Sequence, residues 1–357
     1  LNKASVVKKW NGTTFENLNH DLGVDFYAKY CRVWDERAIF ANVTAGTATP
    51  HLVVASEIGD ATDLSTTDRP SSSLGLDAPW FLPLPDLRAI NGMEMAFGQL
   101  LISTSRGVLH KLTGTTSFDY ALEVFYVGSS AAGDEAMVNI GNDVAIGSAA
   151  RIESLAGIEA FGDVATNDLS YWINPVIDDV TSWTLVYDRQ CQCLMCFPLN
   201  KPECWVLHKT VLEQIRQGLL SEQSQQGAGP FVSPWSKWTT AHAMGFMPSC
   251  VMPMVNPLTG EDAVYLGDSI GRIFLVNGGG GQDGGSADIT VVRRSGTFHL
   301  PYAEMFDIHG TILYATECAA TVTRTFIYGG TAFGEQAITI SLPAADGVAV
   351  YNSTASP

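Results

Sequence analysis

The chain has 357 residues, 37 acidic against 20 basic side chains, and a formal net charge of −17. This acidity argues against a protein that wraps nucleic acid, because such a protein needs clustered Lys and Arg to neutralise phosphates. Hydrophobic residues make up 46% of the chain, which excludes intrinsic disorder. No apolar run approaches the roughly 18 residues of a membrane-spanning helix. We therefore expect a globular protein with a substantial core.

The start of the chain, LNKASVVKKW, has neither a long apolar segment nor an initiator Met. We expect that it is not a signal peptide and that further residues precede Leu1. The seven cysteines are odd in number, and four of them lie between Cys191 and Cys204 inclusive. No disulfide framework is readable from this spacing, which favours a reducing place of synthesis.

A repeated pattern runs along the chain: a short β-rich apolar segment, a tight polar or glycine turn, and a second apolar segment. It occurs at residues 31–43, 98–112, 137–155, 183–207, 263–276 and 305–328. Its central strands lie near Ile39, Leu101, Ala145, Met195, Tyr265 and Leu313, at spacings of 62, 44, 50, 70 and 48 residues. These spacings bracket the roughly 40–50 residues of a four-stranded propeller blade.

We therefore predict an all-β fold, a β-propeller of about six to seven meander blades that forms a single domain over residues 1–357. A pair of packed β-sheets remains the alternative, because its strands recur at similar local spacing. One segment departs from the β pattern. Residues 209–223 place Val211, Leu212, Ile215 and Leu219 on one helical face, which predicts a short amphipathic helix inserted between blades.

Two glycine-containing motifs resemble enzyme signatures. Gly267–Gly271 reads G-x-S-x-G, the turn that presents a nucleophilic Ser269 in hydrolases, but a strand rather than a helix is predicted to follow. We expect Asp268 and Ser269 to lie in a tight hairpin turn in which their side chains bond local backbone groups. Gly279, Gly281 and Gly284 match a dinucleotide-binding spacing, but again no helix follows, so a flexible loop between strands is predicted.

The cysteine-rich segment is the only cluster with a metal-like composition. It contains Cys191, Cys193, Cys196 and Cys204, with His208 nearby. Zinc sites usually present their cysteines on tight turns. Here an extended strand would place Cys191 and Cys193 on one face and Cys196 on the other, which favours ordinary core cysteines over zinc.

The carboxylates offer no recognisable catalytic pair. Glu57, Asp60 and Asp63 share one loop and Asp178 and Asp179 another, but spacing alone does not place either group across a sugar. A solvated acidic surface is the simpler interpretation. We therefore expect no enzyme activity, no cofactor, and no catalytic, cofactor-binding or metal-ligating residue. Two hypotheses remain: a structural assembly component, or a propeller that binds or cleaves glycans.

The order of several segments resembles the β-propeller tail hub, nozzle and head-closure stabilisation proteins of short-tailed bacteriophages. The similar segments are WNGTTFENL (10–18), CRVWDERAIFANV (31–43), SEIGD (56–60), residues 90–114, residues 140–157, PWSKWT (234–239) and residues 265–285. The resemblance extends over residues 5–330. In the middle segment Ala149 or Ala150 stands where the family usually has Gly, and Glu153 stands where it usually has Arg.

This resemblance implies a propeller that assembles into a homo-oligomeric ring, with a hexamer as the expected form, below the portal of the virion. The ring would extend the channel for genome passage and contact portal, adaptor and other tail proteins, after assembly in the host bacterial cytoplasm. DNA would pass through without specific binding. The resemblance implies no catalytic residue. The predicted helix at 209–223 and the predicted long loops at 44–50 and 62–85 are candidates for subunit contacts.

Overall fold

The computed structural model describes most of the chain. The described residues are 6–20, 22, 25–65, 78–114, 119–141, 143–155, 168–216, 233–239, 247–256, 259–276, 282–283, 287–288, 311–316, 319–328, 331–341 and 348–353. The chain divides into two compact units, Leu1–Gly296 and Thr297–Pro357, and each is described by itself.

The first unit contains the propeller. Five antiparallel blades are arranged as a β-propeller, and the protein is 55% strand and 6% helix. The predicted all-β propeller is thus confirmed. That one domain extends over residues 1–357 stays a prediction.

The strands of the first two blades follow a short N-terminal segment. That segment holds β1 (Lys8–Trp10), β2 (Phe15–Asn17) and β3 (Asn19–His20). Blade 1 consists of β4 (Phe26–Trp34), β5 (Arg37–Ala45), β6 (Thr47–Ala55) and, after the short β7 (Asp63–Leu64), β8 (Trp80–Pro83). Blade 2 consists of β9 (Ile90–Ala96), β10 (Gln99–Thr104), β11 (Val108–Thr113) and β12 (Ala121–Val127).

Three further blades complete the propeller. Blade 3 consists of β13 (Met137–Asn139), β14 (Val144–Ser148) and β15 (Arg151–Ser154), followed by helix α1 (Asn174–Ile177). Blade 4 consists of β16 (Trp183–Asp188), β17 (Cys193–Pro198), β18 (Cys204–His208) and, after helix α2 (Lys209–Arg216), β19 (Trp235–Trp238). Blade 5 consists of β20 (Cys250–Val255), β21 (Asp262–Gly267) and β22 (Ile273–Leu275). A two-stranded pair follows, β23 (Gln282–Asp283) with β24 (Ala287–Asp288).

The predicted repeat matches the positions of the observed blades. Five of its six anchor residues fall on the second strand of successive blades: Ile39 on β5, Leu101 on β10, Ala145 on β14, Met195 on β17 and Tyr265 on β21. The sixth, Leu313, lies in the second unit.

The second unit accounts for the difference in blade number. It contains β25 (Thr311–Thr316), β26 (Ala319–Tyr328), β27 (Thr331–Ser341) and β28 (Val348–Ser353). There β26 pairs with β27, and β25 pairs with the distant β28. This nested pairing is not the meander predicted for residues 305–328, so the described residues form five blades instead of the predicted six to seven. Apolar strand segments look alike in sequence whichever partner they pair with.

The blades pack face to face through apolar side chains. Tyr30 and Ile39 of blade 1 meet Leu100 and Ile102 of blade 2 in one cluster. Trp183 is fully buried in a second cluster that joins blades 2, 3 and 4, and its indole N–H donates to the Ser148 carbonyl oxygen at 2.9 Å. This burial of large apolar side chains is the main stabilising contribution that connects one blade to the next.

The predicted helix is present over the described part of its range, but its position was predicted wrongly. Helix α2 lies between β18 and β19, which are paired neighbours in blade 4, so it is an insertion within a blade and not between blades. Leu212 and Ile215 are its buried residues, as the predicted apolar face requires. Residues 217–223 lie outside the described residues.

Two predicted loops are also corrected. Residues 44–50 are a tight hairpin in which Ala45 pairs with Thr47 around Gly46, whose φ of 68° suits glycine. Within 62–85, β8 is the fourth strand of blade 1 and pairs with β6. Pro83 ends β8, which lies at the edge of its blade, where the missing N–H of a proline is tolerated.

Candidate functional site

The first strands of the blades form the inner layer of the propeller. Strand β4 contacts β9, β9 contacts β13, β13 contacts β16, and β16 contacts β20. Arg32 on β4 reaches two other parts of this layer. Its Nε lies 3.3 Å from an oxygen of Glu94 on β9, and its Nη2 lies 2.9 Å from an oxygen of Glu135, which leads into β13.

A second ion pair lies beside the first. Lys29 Nζ is 2.6 Å from Asp134 Oδ1. We call Lys29, Arg32, Glu94, Asp134 and Glu135 the inner ion network. Its members come from three different blades, so the network connects blades at the inner layer in addition to the apolar clusters.

Burial controls the electrostatics of this network. Burial raises the pKa of Glu94, although the charge of Arg32 opposes the shift. Burial lowers the pKa of Arg32, but Glu94 and Glu135 outweigh it and the guanidinium pKa is above its usual value. The pKa of Tyr30 is raised by burial and by Asp134 and Glu135. The network therefore depends on Arg32, because without it Glu94 would be a poorly solvated charge.

The chemistry open to the network follows from its hydrogen bonds. Glu94 and Glu135 each accept from Arg32, and the other Glu94 oxygen accepts from the Met95 N–H at 3.1 Å. Carboxylates engaged in this way stabilise packing and are poorly placed as general bases, which need a free lone pair towards a substrate.

The predicted turn at Asp268 is confirmed. The Asp268 carboxylate accepts from the backbone N–H groups of Ile270 and Arg272, at 3.0 and 2.8 Å, and from Arg272 Nε at 2.6 Å. Burial opposes ionisation, but these hydrogen bonds lower the pKa of Asp268. Because β22 follows the turn, Ser269 is on a hairpin and lacks the strand-to-helix context of a hydrolase nucleophile. Of the glycine-rich motif, only residues 282 and 283 lie within the described residues.

The cysteines of blade 4 are mostly core residues. Cys193 and Cys196 lie on opposite faces of β17, as predicted, in two different apolar clusters. Cys191, in contrast, is exposed in the turn before β17 and not on the strand, which corrects its predicted placement. Burial raises the pKa of Cys196 and of Cys204, which disfavours their thiolate forms.

The structure brings together three polar side chains in a hydrogen-bonded row that the sequence did not reveal. Cys193 Sγ lies 3.3 Å from His208 Nδ1, and His208 Nε2 lies 2.8 Å from Ser236 Oγ, so three strands of blade 4 are connected. Burial raises the pKa of Cys193 to about 11 and lowers that of His208. A protonated thiol beside a neutral imidazole is not the reactive thiolate pair of cysteine enzymes.

Three of the five carboxylates named in the sequence analysis interact with nearby residues. Asp60 accepts from the backbone N–H and the hydroxyl of Thr62, and these hydrogen bonds lower its pKa. Asp63 accepts from the Ser65 N–H at 2.8 Å. Asp179 pairs with Lys201, which lowers its pKa.

One groove lies between the ends of blades 4 and 5. It has a volume of about 250 Å³ and is lined by Tyr187, Asp188, Arg189, Pro253, Met254, Val255, Asp262, Ala263 and Val264. The Asp188 carboxylate accepts from the N–H groups of Gln190 and Cys191, at 2.9 and 3.1 Å. Two acidic residues line the groove, and whereas Asp188 is engaged in these hydrogen bonds, Asp262 is exposed.

Comparisons with known proteins leave the family open, since no family model matches the chain and no curated protein matches its sequence. Across the described ranges, no group of three His, Cys, Asp or Glu side chains is arranged as a metal site. No helix among the residues that the structure describes is long and apolar enough to cross a membrane.

Proposed function

We propose that this chain is a structural subunit of a short-tailed bacteriophage tail. In this proposal, copies of the propeller assemble into a ring, expected to be a hexamer, that extends the portal channel, connects head to tail and guides genome ejection. The proposed structural role requires no catalytic residue and no cofactor.

One observation carries the proposal: the segments that resemble tail hub and nozzle proteins fall on the blades in chain order. Residues 31–43 cover the β4–β5 hairpin, and residues 90–114 cover β9 to β11. Residues 140–157 include β14 and β15, residues 234–239 include β19, and residues 265–285 include the end of β21 and all of β22. The segments that carry the resemblance thus lie in the kind of fold that the resemblance implies, which supports the proposal.

The charge of the chain supports the same proposal. A channel for DNA must not grip the phosphate backbone, since every Lys or Arg contact adds affinity through counterion release and would slow translocation. A net charge of −17 repels the genome. We propose that part of this charge lines the lumen of the ring. A charge map of the assembled ring would contradict this point if the carboxylates were confined to its outer surface.

The test is electron microscopy of the purified protein and of phage particles that contain it. We expect rings of rotational symmetry from the purified protein, and the same ring on the tail axis below the head in particles. A protein that stays monomeric at all concentrations, or that occupies a peripheral spike in the particle, would contradict the proposal.

The alternative is a glycan-binding or glycan-cleaving propeller of a receptor-binding component. The groove between blades 4 and 5 favours it, because an aromatic ring beside a carboxylate suits a sugar. Purified protein incubated with host surface polysaccharide distinguishes the two functions. Depolymerisation or binding that is lost in Asp262→Asn, and kept in the control Glu261→Gln, would replace the structural proposal.

A further inference from the structure

The N-terminal hairpin of the first unit exposes an aromatic pair. Strands β1 and β2 are almost entirely exposed, and Trp10 pairs directly with Phe15 across them. The two rings have centroids 4.7 Å apart, yet Trp10 is 56% and Phe15 69% exposed. We call residues 8–17 the N-terminal arm. Two large aromatic side chains held together in solvent are typical of an interaction surface.

The arm is ordered before it meets a partner. The Asn11 side-chain oxygen accepts from the N–H groups of Thr13 and Thr14, at 2.9 and 2.8 Å, and Asn11 Nδ2 donates to Thr14 Oγ1 at 3.0 Å. These bonds fix the turn that sets Trp10 opposite Phe15. A preorganised surface loses little conformational entropy when it binds.

Blade 5 presents a second exposed apolar surface in the same unit. Its register places Met252 opposite Tyr265 and Cys250 opposite Gly267, so these side chains share one face of the sheet. On β22, Ile273 and Leu275 belong to the same face. We call this surface the open face of blade 5; its exposed residues are Cys250, Met252, Met254, Ile273 and Leu275.

The opposite face of blade 5 shows what such a surface normally contacts. Val264 and Leu266 are buried there against Val186 and Met195 of blade 4. The open face is equally apolar, but Met252 is 57% and Ile273 75% exposed. An apolar blade face that no other described residue of the first unit covers leaves a hydrophobic patch that a partner would cover.

We infer that the N-terminal arm of one subunit packs on the open face of blade 5 of a second copy of this chain. Both surfaces are exposed within one unit, so they do not cover each other in a single chain, whereas every copy offers one of each. A contact between two different surfaces of identical subunits is heterologous, and it closes into a ring when the rotation allows. This inference rests on the proposed ring and names the surfaces that would form it.

The charges at the two surfaces are complementary. Lys8 is exposed on the same side of the arm as Trp10, two residues away along β1. Glu261 is exposed immediately before β21 and has the same alternation as Ala263 and Tyr265, so it lies at the edge of the open face. A basic residue beside the aromatic pair and an acidic residue beside the apolar face favour this pairing over contact between two arms or between two open faces.

Cross-linking tests the contact directly, because Cys250 is a natural cysteine on the open face. Asn17 shares the arm face with Phe15, so Asn17→Cys in a Cys191→Ser background is combined with a short bismaleimide. We expect a covalent link between residues 17 and 250 of different chains, identified by mass spectrometry from mixed isotope-labelled subunits. The link must vanish in Cys250→Ser, and Ser105→Cys in the same background is the control for an exposed site on blade 2.

Substitution measures how much the contact contributes. In Trp10→Ser/Phe15→Ser we expect the dissociation constant for self-association, measured by sedimentation, to rise by at least about 30-fold, the effect of losing one hot-spot aromatic. Met252→Ser/Ile273→Ser should act similarly from the other side. The matched control is Val124→Ser/Val127→Ser, which removes two exposed apolar side chains from the edge of blade 2.

The outcomes separate this inference from the proposed function. Rings that form normally in both double variants, without a 17-to-250 link between chains, would overturn the interface and leave the ring standing. A link found only within one chain would also overturn it, because the arm would then close its own propeller. A wild-type protein that is monomeric at every concentration would contradict the ring itself.

Discussion

Blades 4 and 5 both begin with an apolar strand, but the two strands have opposite environments. Both begin with apolar strands, WTLVYD and CVMPMV, joined to their neighbours in antiparallel meanders. Every residue of β16 and β17 is buried, whereas five of the six residues of β20 are exposed. Blade 4 is packed on both faces, whereas in the described strands of blade 5 only Val264 and Leu266, on the face towards blade 4, are buried. A blade acquires its core from its neighbours, so an equally apolar blade can be a structural centre or a docking surface.

The largest expected effect is at the centre of the buried region. Trp183→Ala should lower the free energy of unfolding by about 3–5 kcal/mol, since it removes a fully buried ring and leaves a cavity. A Cβ at Gly147 would lie 2.9 Å from Trp183, so this site is tightly packed. Urea unfolding followed by circular dichroism measures the change.

The matched control is Trp10→Ala, the same substitution at a residue 56% exposed. Measured at a dilution at which the protein is monomeric, it should change the free energy of unfolding by less than about 0.5 kcal/mol. Equal losses at the two tryptophans would remove the contrast between covered and open surfaces.

A smaller effect is expected in the inner ion network. Arg32→Met should cost about 2 kcal/mol at pH 7, because Glu94 is left as a poorly solvated carboxylate with no cation. The value is below that of a fully buried pair, since the Arg32 side chain is 25% exposed. Adding Glu94→Gln should recover most of the loss, as the uncompensated charge is then absent.

The same variant has a defined pH dependence. Burial raises the pKa of Glu94 above its usual value of 4.5. A carboxyl group whose pKa is raised on folding stabilises the folded state fully at pH values below its pKa in the unfolded chain. This contribution is lost as the pH rises through its pKa in the folded protein. The deficit of Arg32→Met relative to wild type should therefore shrink when the pH is lowered from 7 towards 4.5. A deficit that stays constant over this range, or persists unchanged with Glu94→Gln, would contradict the role of Glu94.

The smallest expected effect is on the open face of blade 5, with the covered face as its comparison. Ile273→Ala, on the open face, should change the free energy of unfolding of the monomer by less than about 0.5 kcal/mol. Leu266→Ala, on the covered face and 3% exposed, should cost about 2–4 kcal/mol. Thermal unfolding of the dilute protein measures both. A large loss at Ile273 would show that the open face is covered within the monomer.

Local patterns predicted a useful part of the structure. The spacing of apolar segments located the second strand of every blade, from Ile39 to Tyr265. The helical face of Leu212 and Ile215 and the hairpin turn at Asp268 were also recognised, because propensity and turn chemistry act over a few residues. The blade that Leu313 was expected to mark was not found, since its strand pairs with one that begins at Val348.

The inner ion network had no comparable signal. The partners of Arg32, Glu94 and Glu135, are 62 and 103 residues away in the chain. Nothing in the sequence around Arg32 distinguishes it from a surface arginine on a strand. The sequence also gives no signal for the hydrogen-bonded row of Cys193, His208 and Ser236, because this row depends on the register of three strands.

The sequence by itself determined that the chain is β-rich, where its strands and turns recur, and that its formal net charge is −17. Only the tertiary structure decided that Met195 is a core residue while Met252 is exposed, although both lie on apolar strands. It also decided that Trp183 is covered and that Trp10 and Phe15 are not. The physical reason is that strand formation depends on neighbouring residues in the chain, whereas burial depends on which other surfaces the fold brings against them.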